Sequence, residues 1–266
     1  MKNKVKVCLW LLLGYVFFFK IPWIKVVNSY LYPILTPSDV KIFYYTDIED
    51  LAIAVDKEDS ISICKILDKS PELINETEDV FGSTVLSYAV EKDKYISIPI
   101  LIKYGADPTC CTDGLLYTYT PIRYSIKKNN DIIFNELLKS SYMVYKENLV
   151  DALNYCILDE KRSKYYFQMV NLDIIKYDTD GELINTAIRE GRYDMAIDLL
   201  QRGACFKNDV EFKRTYGSKR LLTDYLEDKD PTDSLQCQYK HQFISMLEER
   251  GLYKKEEKKE EEEKEE

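Results

Sequence analysis

The only histidine, His241, is the first residue to test for catalytic chemistry. A serine or cysteine nucleophile needs a base beside it, and no G-x-S-x-G turn or similar motif presents such a nucleophile in this sequence. Carboxylate pairs such as Glu248 and Glu249 occur in charge-rich helical sequence, where nothing indicates the pocket that a general acid and base require. The glycines form no phosphate-binding loop. The sequence therefore predicts no catalytic residues, and we do not expect an enzyme.

The cysteines predict neither a metal site nor a cofactor site. They are scattered, they include no C-x-x-C pair, and their odd number is typical of small buried side chains in a reducing compartment. Cys110 and Cys111 follow a helix end, so a disulfide from one of them stays possible. The seven are Cys8, Cys64, Cys110, Cys111, Cys156, Cys205 and Cys237.

Aromatic side chains beside aspartates provide the pattern that points to a function. They fall in connections between apolar segments, where an aromatic ring can anchor a partner at a small cost in torsional freedom, although each ring could instead pack on its neighbouring loop. The formal net charge of −9 makes nucleic acid an unsuitable partner and, with the aspartates, favours a protein with a basic surface. The predicted partner-binding residues are Phe81, Asp113, Tyr117, Tyr119, Tyr177, Asp178 and Asp180.

The segment from Thr84 to Pro108 shows which elements would position these residues. Leu86 and Ala89 are spaced for one face of a short helix that Thr84 can cap, and a second apolar stripe between positions 96 and 102 predicts another helix. Gly105 follows, where a chain leaving a helix adopts positive φ. Two helices this short cannot bury their apolar faces alone, so we expect further copies of the pair.

Small residues mark these copies at intervals of 35, 36, 31 and 31 residues, namely Ala54, Ala89, Ser125, Cys156 and Ala187. A period of about 33 residues with two helices per unit resembles the ankyrin family. The resemblance is carried by Thr120-Pro121-Ile122, Ala187 with Gly191, Gly105-Ala106-Asp107-Pro108 and Gly203-Ala204, whereas the family's histidine after Thr-Pro-Leu is replaced by Ser87 and Arg123. The resemblance implies an all-α solenoid of about five to six repeats over residues 47–252; another solenoid of helical pairs is the alternative.

The N-terminal 25 residues predict a membrane anchor. Three lysines precede the apolar run Val7–Phe19, and the run extends to Ile24 if Lys20 reaches the interface. Because no small-x-small cleavage site follows, we expect an uncleaved signal-anchor at 1–25 and a linker at 26–46. A cleaved signal peptide and an apolar helix packed on the repeats are the alternatives. The lysine bias favours a single-pass membrane protein whose repeats are periplasmic or otherwise outside the cytoplasm.

The C-terminal part predicts an atypical last helix pair between Leu221 and Leu252, as is common for terminal units of a solenoid, and a charged, disordered tail at 253–266. Together these features predict a membrane-tethered interaction module of unknown oligomeric state. Its narrower version is an immunity protein that inhibits a bacterial toxin, and the alternative is a scaffold subunit of an envelope complex.

Overall fold

A computed structural model describes residues 39–79, 81–110, 119–207, 211–213, 219–221, 226–227, 231 and 233–253, apart from the side chains of 142–143, 211–213 and 219–221. The described chain is predominantly helical, which confirms the helical fold class. It divides into two compact units, with the boundary between Tyr145 and Lys146, and each unit is described by itself.

The described part of the first unit contains three helix pairs, which we call repeats 1 to 3. Short 3-10 turns at Val40–Phe43 and Pro71–Asn75 flank repeat 1. The helices are α1 Glu49–Asp56 and α2 Ser60–Lys69, α3 Val85–Glu91 and α4 Ser97–Lys103, and α5 Pro121–Lys127 and α6 Asp131–Val144.

Side-chain caps fix where most of these helices begin. Thr84 accepts a hydrogen bond from the backbone N–H of Ser87 at 3.1 Å, which confirms the predicted cap of α3. Thr120 caps α5 in the same way, through the N–H of Arg123 at 3.3 Å. Asp59 and Asn130 cap the second helices α2 and α6. A polar residue therefore recurs at these helix starts because the first backbone N–H groups of a helix need an acceptor from outside the helix.

The turn between the two helices has one backbone geometry in repeats 1 to 3. The fourth residue after the small residue has positive φ in each: Glu58 (53°), Asp93 (53°) and Asn129 (56°). The next N–H then bonds back to the carbonyl of the small residue, at distances of 2.8–3.0 Å from Ala54, Ala89 and Ser125. This shared hydrogen bond gives equivalent positions that can be compared from repeat to repeat.

Neighbouring repeats of this unit stack through their helices and through ionic hydrogen bonds. The small residues Ala54, Ala89 and Ser125 are buried, and helices of the same rank pack against each other. The carboxylate of Asp56 in α1 accepts a hydrogen bond from Tyr88 at 2.6 Å and pairs with Lys94 at 3.1 Å. Lys128 similarly contacts Asp93 of the preceding repeat at 2.5 Å.

The second helices end differently because their terminal residues differ. α4 ends before Gly105, which has φ of +89° as predicted for this glycine. Ser141 takes the equivalent position in α6, and the helix continues to Val144. Serine has a Cβ that disfavours the left-handed conformation, so Ser141 does not end α6 as Gly105 ends α4. Ser70 takes the same position in repeat 1, but Pro71 follows it and α2 ends at Lys69.

The second unit contains repeats 4 and 5 and a terminal helix. Short 3-10 turns at Lys146–Asn148, Glu160–Arg162 and Ile175–Tyr177 lie between the α-helices, and the strands β1 Glu211–Lys213 and β2 Lys219–Leu221 form an antiparallel hairpin. This hairpin, which the sequence did not predict, precedes the predicted terminal helix pair between Leu221 and Leu252, and most of the first helix of that pair lies outside the described residues. The helices are α7 Leu149–Ile157, α8 Ser163–Met169, α9 Glu182–Arg189, α10 Tyr193–Gln201 and α11 Ser234–Glu249.

The helices of the second unit also pack against each other with small residues buried between them. Cys156 and Ala187 are buried at the small positions, and α7 packs on α9 while α10 packs on α11. Between α8 and α10, the hydroxyl of Tyr166 donates to Asp198 at 2.8 Å. Burial and this hydrogen bond raise the pKa of the Tyr166 phenol above its usual range, so the ring keeps its proton.

The predicted single-pass membrane location is wrong for the helices that the structure describes. None of their helices combines the length and the apolar composition that crossing a bilayer demands. The longest described helix, α11, has 16 residues and is largely polar, whereas a span needs about 20 apolar residues. The predicted anchor at 7–24 lies outside the described residues, and so does the predicted tail at 253–266 except for Tyr253, which is buried. Ile42 and Phe43, expected within the linker, are buried beside repeat 1.

Candidate protein-binding surface

Tyr119 is the predicted partner-binding residue that lies beside a second aromatic ring and two cations. It lies directly before α5 and is partly exposed. Its ring packs edge-on against Tyr124, with 5.4 Å between the ring centroids. Because Tyr124 is itself buried in α5, its contact restricts the movement of the Tyr119 ring.

Two cations flank this ring. The Lys127 Nζ atom lies 4.5 Å from the centroid of the Tyr119 ring, and the Arg123 guanidinium carbon lies 5.4 Å from it. Positions 119, 123 and 127 are four residues apart, which places the last two on one face of α5. We call Tyr119, Arg123 and Lys127 the Tyr119 patch. Cation–π contacts of this kind each contribute about 0.5–1 kcal/mol at exposed sites.

Two further residues of the predicted binding set precede Tyr119 in the sequence. Asp113 and Tyr117 lie outside the described residues, so the structure does not place them. Arg123 and Lys127 were not among the predicted binding residues, although their four-residue spacing from Tyr119 was a usable signal. Among the described residues, two cations, Arg123 and Lys127, lie beside the Tyr119 ring.

Phe81 is placed in the interior. It is 4% exposed and lies in the loop that a bridge between Thr77 and Thr84 closes. Glu78, also buried, accepts hydrogen bonds from the backbone N–H groups of Phe81 at 2.8 Å and Ser83 at 2.9 Å. Phe81 therefore contributes to a rigid loop, and its ring is not available on the surface.

The remaining predicted residues cluster in the second unit, before α9. Tyr177 is partly exposed, with the Lys176 Nζ atom 5.3 Å from its ring centroid. Asp180 is exposed and pairs with Lys207 at 3.3 Å. These two side chains lie on the surface, as a partner-binding role requires.

Asp178 has a structural role instead. It is 5% exposed, and its two carboxylate oxygens accept hydrogen bonds from the backbone N–H groups of Glu182 at 2.9 Å and Leu183 at 3.2 Å. Burial raises the pKa of the Asp178 carboxyl, and the two backbone hydrogen bonds only partly oppose it. Asp178 thus caps α9, whose preceding residue Gly181 offers no side chain.

Catalytic and metal-binding groups are not assembled among the described residues. His241 is exposed on α11, and no group of three or more His, Cys, Asp or Glu side chains in the described ranges could hold a metal ion. The surface features that remain are suited to contacting another macromolecule.

Five described helix pairs with buried small residues, of which repeats 1, 2, 3 and 5 share one turn geometry, define a chain of ankyrin-repeat character. The chain is 27% identical over 176 residues to the putative ankyrin repeat protein FPV022 of Fowlpox virus (strain NVSL). The match covers 64% of this chain and 28% of that relative, so the chain spans little more than a quarter of the relative's length. No family model matches the chain. Proteins with ankyrin repeats are generally non-enzymatic and bind other proteins, which fits the interaction role expected from the sequence.

Proposed function

We propose that this chain binds another protein through the Tyr119 patch, and that the partner contributes an acidic side chain to it. The observation that carries the proposal is the Tyr119 ring, held by buried Tyr124 and flanked by exposed Lys127 and partly exposed Arg123. An aromatic ring between two cations can bury apolar area while offering charge-assisted hydrogen bonds to a carboxylate.

The second-unit cluster of Tyr177 and Asp180 supports a separate contact with a basic group, as the sequence predicted. Asp180 is strongly exposed, with a side-chain accessibility of 87%, and its pairing with Lys207 is a weak surface ion pair that a partner's cation can replace. Neither a toxin inhibitor nor an envelope scaffold is favoured by a specific feature of the described residues, so we propose neither.

Affinity capture with a matched charge reversal tests the Tyr119 patch. The wild-type chain, Tyr119→Ala, Lys127→Glu and the control Lys139→Glu are each immobilised, and the captured proteins are quantified by mass spectrometry. Lys139 is an exposed lysine on the second helix of the same repeat, so its reversal changes net charge equally. We expect one set of proteins to be lost with both patch variants and retained by Lys139→Glu.

A photo-crosslinker at position 119 then shows whether that set touches the patch. Crosslinks from position 119 to a captured protein, at an acidic segment of it, support the proposal. An identical captured set on all four proteins, or loss with Lys139→Glu as well, would contradict it.

A further inference from the structure

Contacts between repeats 1 and 2 show which residues of a repeat face the repeat before it. The hydroxyl of Tyr88 donates a hydrogen bond to the Asp56 carboxylate at 2.6 Å, and the hydroxyl of Ser97 donates to the carbonyl of Val55 at 3.2 Å. Tyr88 precedes the small residue of its repeat by one position, and Ser97 follows it by eight. These two positions therefore lie on the face that a preceding repeat covers.

This face is closed in repeats 2 and 3. Val85 and Leu101 lie one helical turn from Tyr88 and Ser97, on the same sides of α3 and α4, and both are fully buried. The residues at the equivalent positions of repeat 3 are also buried, namely Pro121, Tyr124, Ile133 and Leu137. A stacked array buries these positions because each repeat packs on its neighbours.

The same face of repeat 1 is open among the described residues. Its equivalent positions hold Asp50, which is exposed, and Ile53, Ser62 and Ile66, which are half-buried. A groove of about 510 Å³ lies between α1 and α2 at these positions, and half-buried Leu73 completes its apolar lining. The groove is an inter-repeat contact surface that no described residue fills.

Charge around this groove does not favour a charged occupant. Its rim carries as many acidic as basic side chains, namely Asp47, Asp50 and Asp59 with Lys57, Lys65 and Lys69. The two sets balance, so neither a strongly acidic nor a strongly basic partner gains a net attraction. An apolar occupant gains free energy by covering the half-buried aliphatic side chains. The groove is therefore suited to an uncharged apolar segment.

The chain itself contains such a segment close to this groove. Ile42 and Phe43 of the first 3-10 turn are buried, and this turn packs on α1, so the chain before Asp39 begins beside repeat 1. Residues 7–24 have one charged side chain, that of Lys20. Residues 25–38 can bridge up to about 45 Å, whereas α2 is only about 15 Å long. Residues 7–24 can therefore reach any part of the groove.

We propose that residues 7–24 occupy the groove of repeat 1 and take the place that a preceding repeat would have in the stack. Ile53 and Ile66 are then covered as Tyr88 and Leu101 are covered in repeat 2. The covalent connection gives the segment a high effective concentration at the groove, which favours it over a second copy of the chain or another protein. This contact is separate from the Tyr119 patch and does not depend on the function proposed for that patch.

Photo-crosslinking in the full chain tests this contact. A photo-reactive residue is placed at position 65 or 69, where exposed lysines line the groove. We expect crosslinks to peptides from residues 7–24, identified by mass spectrometry. Position 103, an exposed lysine of α4, is the control and should give no such crosslink. A mixture of isotope-labelled and unlabelled chain separates crosslinks within one chain from crosslinks between chains.

Two substitutions test the apolar character of the contact with the probe at position 69. Ile66→Asp puts a charge into the groove and should lower the crosslink yield severalfold, whereas Ile61→Asp changes a side chain that is already 80% exposed and should not. Leu12→Asp should lower the yield as well. Because Leu12→Asp alters the segment and no groove residue, it tests the same contact where Ile66→Asp destabilises repeat 1.

Several results would overturn the proposal. They are the absence of crosslinks from positions 65 and 69 to residues 7–24, equal yields from positions 69 and 103, and crosslinks that form only between chains. Flotation of the chain with phosphatidylcholine vesicles that Leu12→Asp abolishes would also overturn it, since the segment would then lie in lipid.

Discussion

Gln236 and Tyr193 are 43 residues apart in sequence, yet the Oε1 atom of Gln236 accepts a hydrogen bond from the backbone N–H of Tyr193 at 2.9 Å. It also lies 3.4 Å from the N–H of Asp194, while its amide nitrogen donates to the Asp194 carboxylate at 3.0 Å. Arg192, which precedes α10, makes no side-chain cap. The cap of α10 is therefore supplied by α11.

Gln236→Ala should destabilise the second unit by about 1–2 kcal/mol, because two N–H groups at the start of α10 lose their acceptor. Urea denaturation followed by circular dichroism measures the change. Gln238→Ala, an exposed glutamine of the same helix, is the control and should stay within about 0.5 kcal/mol of wild type. Gln236→Glu keeps the acceptor but sets a carboxylate against Asp194, so its stability should improve as pH falls. Equal stability of Gln236→Ala and Gln238→Ala would refute the capping role.

Asp56 should stabilise the first unit in a pH-dependent way. Burial raises the pKa of its carboxyl, but hydrogen bonds from Tyr88 and Lys94 and the charge of Lys94 outweigh burial and lower the pKa below 3.8. The ionised form is therefore favoured by folding. Its contribution is complete above the unfolded pKa and disappears as pH falls through the folded value. The stability advantage of wild type over Asp56→Asn should shrink below about pH 4; an advantage constant from pH 6 to pH 3 would contradict this.

Asp178 should show the opposite pH dependence. Because burial raises its pKa, the folded state binds more protons than the unfolded state between the two pKa values, so stability rises as pH falls through that window. Asp178→Ala removes this dependence and also leaves the N–H groups of Glu182 and Leu183 without their acceptor. We expect the variant to be less stable at every pH, with the larger deficit at acidic pH. A deficit that grows toward alkaline pH would show that the assigned direction is incorrect.

Two glycines of the second unit have similar positive φ angles but differ in the space that a side chain would find. Gly181 and Gly191 have φ of 71° and 68°, but a Cβ on Gly181 would lie 2.9 Å from the carbonyl oxygen of Cys205, whereas Gly191 has open space. Gly191→Ala should cost about 1 kcal/mol, from the left-handed backbone alone. Gly181→Ala should cost about 3 kcal/mol, since the backbone of Cys205 must also move. Thermal unfolding of both variants gives the comparison, and equal costs would rule out the steric contribution.

Local backbone chemistry made the repeats predictable from sequence. Thr84 and Gly105 perform the capping and terminating roles that their side chains dictate, and Ala89 is buried where the periodicity placed it. Ser141 shows where this reasoning ends. With neither a glycine at that position nor a proline after it, α6 continues to Val144, and the pattern of apolar residues does not give its length.

Long-range contacts were not predictable in the same way. Phe81 and Tyr119 have similar sequence surroundings, yet one is buried in a loop braced by Glu78 and the other is partly exposed beside Lys127. Which aromatic residue is exposed depends on contacts that the loop itself makes, and these are specific to each repeat. The N-terminal apolar run predicted a membrane location that the described helices do not support.

The start of α10 depends on the Gln236 side chain of α11, and this dependence has a consequence for synthesis on the ribosome. Tyr193 leaves the peptidyl-transferase centre 43 codons before Gln236 does, so the fifth repeat emerges with the start of its second helix still open. Water must satisfy those amides until the terminal helix has been translated. The last repeat therefore matures late, and a pause or a premature stop in this interval would leave it incomplete.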